Sequence, residues 1–176
     1  GLTPEMQLPW KMKDYGQWAL QQIDRSEFES PILLGHSFGG KILLELATHH
    51  LVKNSLVLIN TSGIQSHLNR KQKFAKNISK LVKKGSNLPG YEFFRRNTYK
   101  YLIGETDYIN TSGNLKASFN NIIDINYDKK INQIKNNTVL IWGKDDKDTP
   151  LWMGELLNKR ISKSELFIEE GTHGLP

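Results

Sequence analysis

The sequence contains no cysteine among its 176 residues. Disulfide bonds, cysteine nucleophiles and thiolate metal sites are therefore excluded. No apolar run approaches the ~20 residues that a helix needs to cross a bilayer, and no signal-peptide pattern opens the chain. Hydrophobic residues make up 38% and charged residues 24% of the sequence, which is typical of globular proteins. These features predict a soluble, cytoplasmic protein without a membrane span.

Positive charge is in excess, with a formal net charge of +6 at pH 7. Much of it lies in residues 71–84, KQKFAKNISKLVKK. A nucleic-acid-binding segment would be expected to interleave basic residues with stacking aromatics, and Phe74 is the only aromatic residue in this run. We therefore interpret the run as a solvated helix face and predict no nucleic-acid partner. An anionic partner or substrate is the alternative, and the oligomeric state is left open.

Short apolar runs alternate with segments of helical periodicity along most of the chain. The predicted strands are residues 31–34, 55–60, 137–143 and 164–169. The predicted helices are residues 13–24, 41–51 and 151–161. Strands that alternate with helices indicate an α/β fold, with a mainly parallel sheet of buried strands and helices on both faces.

The middle of the chain breaks this alternation, since residues 64–134 contain polar helical patterns and no convincing buried strand. We predict a helical cap insert there, and a core domain formed by residues 1–63 and 135–176. The insert carries an aromatic and apolar cluster beside Pro89: Tyr91, Phe93, Phe94, Tyr99, Tyr101 and Leu102. We expect these side chains to pack onto the core, and the alternative is that some line a substrate pocket.

The motif G-x-S-x-G occurs between the first predicted strand and the following helix. Its residues are Gly35, His36, Ser37, Phe38, Gly39 and a further Gly40. In this context the pattern is typical of a nucleophile elbow, where the serine side chain is held out at the carboxyl end of the sheet. Gly35 and Gly39 are the small neighbours that allow the chain to approach closely, and the helix N-terminus directs N–H groups at the site. Because the bare pattern arises by chance in roughly 5–10% of chains of this length, it needs partners.

A serine nucleophile requires a base, and one of the five histidines is well placed for that role. His173 follows the last predicted strand by a short loop, which puts it at the same edge of the sheet as Ser37. The other four histidines are assigned structural or surface roles: His36 within the motif, His49 and His50 at a helix end, and His67 in the insert.

The base in turn needs an acid to orient it, and the loop after the third predicted strand provides three candidates. They are Asp145, Asp146 and Asp148. The loop after the second strand, residues 61–63, has no carboxylate. Spacing alone does not choose among the three aspartates.

Four blocks in this order carry a family resemblance: GHSFGG at 35–40, LVLINTSG at 56–63, VLIWGKDDKDTP at 139–150 and EEGTHGLP at 169–176. The chain resembles the serine-triad branch of the α/β-hydrolase fold family, among small bacterial esterase-like and C–C-hydrolase-like proteins. The segment DYINTSGNLKASFNNIIDINY also resembles the cap region of such proteins. The resemblance implies Asp146, three residues after Gly143, as the acid, with Asp148 as the second choice.

The resemblance has two further implications. The backbone N–H of Phe38 is one expected oxyanion donor, and the second would come from a segment upstream of Gly1. The first strands of the fold and the helix after the histidine do not occur in the sequence, so we expect a chain that is incomplete at both ends.

The predicted function is that of a serine hydrolase acting on a small ester or related acyl substrate through Ser37, Asp146 and His173. The resemblance implies no metal or organic cofactor. Alternatives with the same triad are a C–C bond hydrolase and a cofactor-free perhydrolase. A receptor that binds a small molecule without efficient turnover, or a chain with no activity as it stands, are further alternatives.

Overall fold

The computed structural model describes residues 7–65 and 113–174, and their strands form one four-stranded parallel sheet in the order β1-β2-β3-β4. The strands are β1 Leu33–His36, β2 Leu56–Ile59, β3 Thr138–Gly143 and β4 Ser164–Glu169. The helices are α1 Met12–Arg25, α2 Phe38–Thr48, α3 Gly113–Ile122 and α4 Trp152–Arg160, with a 3₁₀ turn at Ile131–Gln133. The predicted α/β class and parallel sheet are confirmed.

One face of the sheet forms the core with the helices. Successive side chains of a strand point to opposite faces, and paired residues of parallel strands share a face. Buried side chains of the first face are Leu33, Leu56, Leu58, Leu140 and Trp142. They cluster with buried residues of all four helices: Met12, Tyr15, Leu44, Leu46, Ile122 and Leu157. This face of the strands therefore packs against the helices.

The second face of the sheet is less covered by the described residues. Leu34, Val57 and Val139 lie side by side there, none of them belongs to the core cluster, and Leu34 is 64% exposed. The expectation of a fully buried first strand is therefore wrong for the part of the chain that the structure describes. A four-residue apolar run does not reveal whether one or both of its faces are covered.

The boundaries around the first strand also differ from the prediction. β1 begins two residues later than expected and continues through Gly35 to His36, and α2 begins three residues earlier, at Phe38. Ser37 is consequently the single residue between a strand and a helix.

Of the predicted cap insert, the structure describes residues 113–134. These residues belong to the same compact unit as the sheet, formed by Gly1–Ile64 and Ser112–Pro176. The Lys41 ammonium of α2 donates to the Ile122 carbonyl at 2.8 Å, which joins α3 to the helix after Ser37. The basic run 71–84, the aromatic cluster and His67 lie outside the described residues. The boundaries of the insert stay a prediction.

Within residues 7–65 and 113–174, none of the helices combines the length and the apolar character that crossing a membrane would require.

Candidate active site

Ser37 occupies a sharp corner between β1 and α2. Its backbone has φ 50° and ψ −113°, a combination that non-glycine residues rarely adopt. The corner is fixed on both sides, because the Ser37 N–H donates to the Ile59 carbonyl at 3.0 Å and the Ser37 carbonyl accepts from the Ser62 N–H at 3.1 Å. Strained backbone persists where the surrounding contacts over-determine it, and such positions cluster at functional sites.

Two glycines make this corner possible by close contact. A Cβ atom on Gly35 would lie 2.6 Å from the Gly40 nitrogen, and one on Gly40 would collide with the Thr61 side chain. A Cβ atom on Gly39 would meet no described atom within 4 Å. The clearance that the motif led us to expect from Gly39 is therefore provided by Gly40, one position later.

His173 lies between Ser37 and Asp146. Its Nε2 atom is 2.9 Å from Ser37 Oγ, and its Nδ1 atom is 2.8 Å from Asp146 Oδ2. Because a carboxylate can only accept, a neutral His173 ring carries its proton on Nδ1. Nε2 is then free to accept the proton of the Ser37 hydroxyl.

Asp146 is the one buried aspartate of its loop, whereas Asp145 and Asp148 are exposed. Besides His173, its carboxylate accepts from the Asp148 N–H at 2.8 Å and from the N–H and hydroxyl of Thr149 at 2.9 and 2.7 Å. Burial alone would raise the pKa of Asp146. The hydrogen bonds, with the one to His173 contributing most, outweigh the effect of burial and hold the pKa below its ordinary value. Asp146 is therefore ionised at neutral pH and aligned with the imidazole.

The structure brings Ser37, His173 and Asp146 together at the carboxyl edge of the sheet, although 136 positions separate Ser37 from His173. His36 makes a structural contact instead, since its Nε2 donates to the His173 carbonyl at 2.7 Å. His49, directly after α2, bonds through its ring to the Glu45 carbonyl.

Phe38 is the first residue of α2, so its N–H has no acceptor within the helix. The peptide plane between Ser37 and Phe38 is held through its carbonyl by Ser62 and by the Lys41 N–H at 3.2 Å. Because carbonyl and N–H point in opposite directions across a trans peptide, this anchoring sets the direction of the Phe38 N–H. The Phe38 ring packs edge-on against Tyr15, with 5.0 Å between the ring centroids.

The sequence did not predict a role for two polar residues at the site. Thr149 is buried and bonds the acid, and buried Asn60 at the end of β2 bonds the backbone of the loop that carries His173. Neither belongs to a motif with a chemical signature. The available signals are positional: Asn60 ends a predicted strand, and Thr149 lies in the loop that carries the three aspartates.

One group of described side chains has the geometry to hold a cation. Asp146, Asp148 and His173 each offer a ligand atom within 4.8 Å of the others. Asp146 and His173 already bond to each other in this arrangement, so the group coincides with the Ser37 site and does not define a separate one.

Solved structures with a similar fold are numerous. A hydrolase from Pseudomonas aeruginosa PA01 matches with a TM-score of 0.65 and 22% identity, over 98% of this chain and 69% of that one. An enol-lactonase from Burkholderia xenovorans LB400 matches with a TM-score of 0.65 and 16% identity, over 98% and 70%. A meta-cleavage product hydrolase from Pseudomonas fluorescens IP01 matches with a TM-score of 0.62 and 16% identity, over 98% and 69%. The chain thus spans about 70% of the length of these structures.

Comparison by sequence gives the family. No curated protein is similar enough to match. The model of the α/β hydrolase fold matches residues 9–175, nearly the whole chain. By this match, and by the parallel sheet that ends in the Ser37 corner, the chain belongs to the α/β-hydrolase fold family.

Proposed function

We propose that the protein is a serine hydrolase that cleaves a small ester or related acyl compound through an acyl-enzyme on Ser37. The observation that supports this most directly is the unbroken line of hydrogen bonds from Ser37 Oγ through the His173 ring to Asp146. A serine hydroxyl becomes a useful nucleophile when a base accepts its proton and a third group orients that base.

In the proposed mechanism, Ser37 Oγ attacks the substrate carbonyl carbon while His173 Nε2 takes the hydroxyl proton. The ionised Asp146 stabilises the imidazolium and keeps its ring oriented. The tetrahedral intermediate collapses, its C–O bond to the leaving group breaks, and His173 returns the proton to that group. Water then attacks the acyl-enzyme with His173 as base, which releases the acid and regenerates Ser37.

Negative charge develops on the carbonyl oxygen in both steps, and we assign its stabilisation in part to the Phe38 N–H. This donor lies at the N-terminus of α2, where the helix dipole also favours negative charge. Its direction is set in advance by the contacts of the Ser37 carbonyl. Donors that are aimed before the reaction need no reorganisation, which is the basis of oxyanion-hole catalysis.

The scissile bond and the substrate have to be identified by experiment. An enol-lactonase and a meta-cleavage product hydrolase share this fold, and folds host different reactions through differences in their sites. The experiment is therefore a panel of activated esters of graded chain length, with rapid-quench mass spectrometry of the protein. We expect a burst of product and a mass increase of one acyl group, both lost in Ser37→Ala.

A protein that binds such compounds without a burst or an acyl adduct would be a receptor on this fold, and the proposal would fail. An acyl adduct on an unrelated residue would also contradict it. Thr61→Ala is not a suitable control, because Thr61 packs against the corner. Ser164→Ala is suitable, since Ser164 lies at the amino end of β4, away from the Ser37 edge of the sheet, and its hydroxyl bonds to Asn158 and Ile161.

A further inference from the structure

Asn60 lies directly after β2, with a positive φ of 41° and no exposed surface. Asparagine tolerates this conformation better than most residues. Its amide group makes three hydrogen bonds, and all three go to backbone atoms. Nδ2 donates to the Thr172 carbonyl at 3.1 Å and to the His173 carbonyl at 2.8 Å, and Oδ1 accepts from the Gly143 N–H at 2.8 Å. A single side chain thus joins the end of β3 to the loop that carries His173.

The backbone of Asn60 reaches the loop that carries Asp146. Its N–H donates to the Ile141 carbonyl at 3.0 Å, which pairs it with β3. Its carbonyl is 3.0 Å from the hydroxyl of Thr149, the same hydroxyl that lies 2.7 Å from Asp146 Oδ2. Thr149 is buried between the Asn60 carbonyl and the Asp146 carboxylate, so the position of Asn60 restricts the position of that carboxylate.

The His173 backbone is held from a second side as well. The carbonyl that accepts from Asn60 also accepts from His36 Nε2 at 2.7 Å. His36 precedes Ser37 at the end of β1, so the base is tied to the strand that carries the proposed nucleophile. A carbonyl that accepts from two donors has little freedom to move. The His173 ring extends from the same residue, so its motion is restricted as well.

We propose that Asn60 is a positioning residue, which holds the loops of His173 and Asp146 in register with Ser37. This inference rests on the proposed function for its catalytic consequence, but its structural content is independent of turnover. Without the amide, the buried Gly143 N–H and the Thr172 carbonyl each lose a partner, and the His173 carbonyl keeps the one from His36. A buried polar group that loses its partner is costly, which favours a shift of the loop. A displacement of ~1 Å at a reacting atom costs on the order of 10²-fold in rate.

The chain offers a matched control for a test of Asn60. Asn136 is also buried, and its Nδ2 donates to two carbonyls, of Val52 at 3.1 Å and of Asn54 at 2.8 Å. It precedes β3, at the opposite end of the sheet from Ser37. Asn60→Ala and Asn136→Ala therefore delete comparable buried amides, and only the first adjoins the site.

Two measurements on the folded proteins are compared. The first is kcat and KM for the best activated ester, where we expect Asn60→Ala to lower kcat by roughly 10²-fold with little change in KM. Asn136→Ala should leave kcat near that of the wild type. The second is the ¹⁵N-histidine NMR spectrum, where the His173 Nδ1–H signal should be sharp in the wild type and in Asn136→Ala and lost in Asn60→Ala.

The NMR measurement distinguishes a failure of the proposed function from a failure of the role proposed for Asn60. If the wild type lacked ester turnover, the proposed function would fail, while the His173 signal would still decide the role of Asn60. If Asn60→Ala did not fold, Asn60→Asp would replace it, because it keeps the shape and an acceptor for the Gly143 N–H. Equal kcat and equal His173 signals in the Asn60 and Asn136 variants would overturn the inference.

Discussion

The close packing at the Ser37 corner predicts how strongly alanine at Gly35 and at Gly39 changes the stability of the protein. In Gly35→Ala the new Cβ atom would lie 2.6 Å from the Gly40 nitrogen and 2.7 Å from the Gly39 carbonyl carbon. Carbon contacts are most favourable at about 3.5–4.0 Å, so the overlap is about 1 Å, and it is with backbone that cannot rotate away. Overpacking of this kind costs about 1–3 kcal/mol. In Gly39→Ala the Cβ atom meets no described atom within 4 Å, and alanine in a helix is favoured over glycine by up to about 1 kcal/mol.

The two alanine variants should therefore differ by about 1–4 kcal/mol in their free energy of unfolding. For a chain of this size each kcal/mol shifts the melting temperature by about 2–4 °C, so Gly35→Ala should melt roughly 2–16 °C below Gly39→Ala. Neither glycine has a positive φ, so backbone strain does not confound the comparison. Thermal denaturation followed by circular dichroism measures the difference. Equal melting temperatures would refute the close-packed corner, and a higher one for Gly35→Ala would refute it more strongly.

Two other predictions concern the acid and a buried cation. Asp146→Asn should lower kcat by ~10⁴-fold, because the amide favours the wrong His173 tautomer. Asp145→Asn, at an exposed position, should change kcat little. A larger loss of kcat in Asp145→Asn than in Asp146→Asn would contradict the choice of acid. Burial lowers the pKa of Lys41 to about 8, against an opposing effect of Asp124. Between pH 8 and 10 the unfolded chain binds this proton and the folded chain does not, so the contribution of Lys41 to stability rises by up to about 1.4 kcal/mol per pH unit. Urea denaturation at pH 8 and pH 10 should show the wild type gaining on Lys41→Met, and a constant difference would contradict it.

The sequence was sufficient to predict the order of the elements and the three residues that meet at the site. Ser37, Asp146 and His173 each follow a strand, and the carboxyl ends of parallel strands lie at one edge of a sheet. That rule links positions far apart in sequence without any knowledge of side-chain packing. The choice of Asp146 over its neighbours needed the family resemblance, and its burial gives the choice a physical reason.

Other features depend on contacts that periodicity does not encode. Asn60 lies in the block LVLINTSG, which indicates the family but not the role of this side chain, since the partners of Asn60 are backbone atoms from segments that are more than 80 positions away. The exposure of Leu34 could not be predicted either, because the sequence pattern of a short apolar strand is the same whether or not a helix covers it. The role of Gly40 could not be separated from that of Gly39, because the motif does not record which glycine faces Thr61.

Covalent labelling would show whether Ser37 is a nucleophile that is activated by His173. The protein would be treated with a fluorophosphonate, digested, and the modified peptide identified by mass spectrometry. We expect a single adduct on Ser37, absent in Ser37→Ala and formed much more slowly in His173→Ala, while Ser164→Ala reacts like the wild type. An adduct on another serine, or labelling of Ser37 that does not depend on His173, would contradict the account.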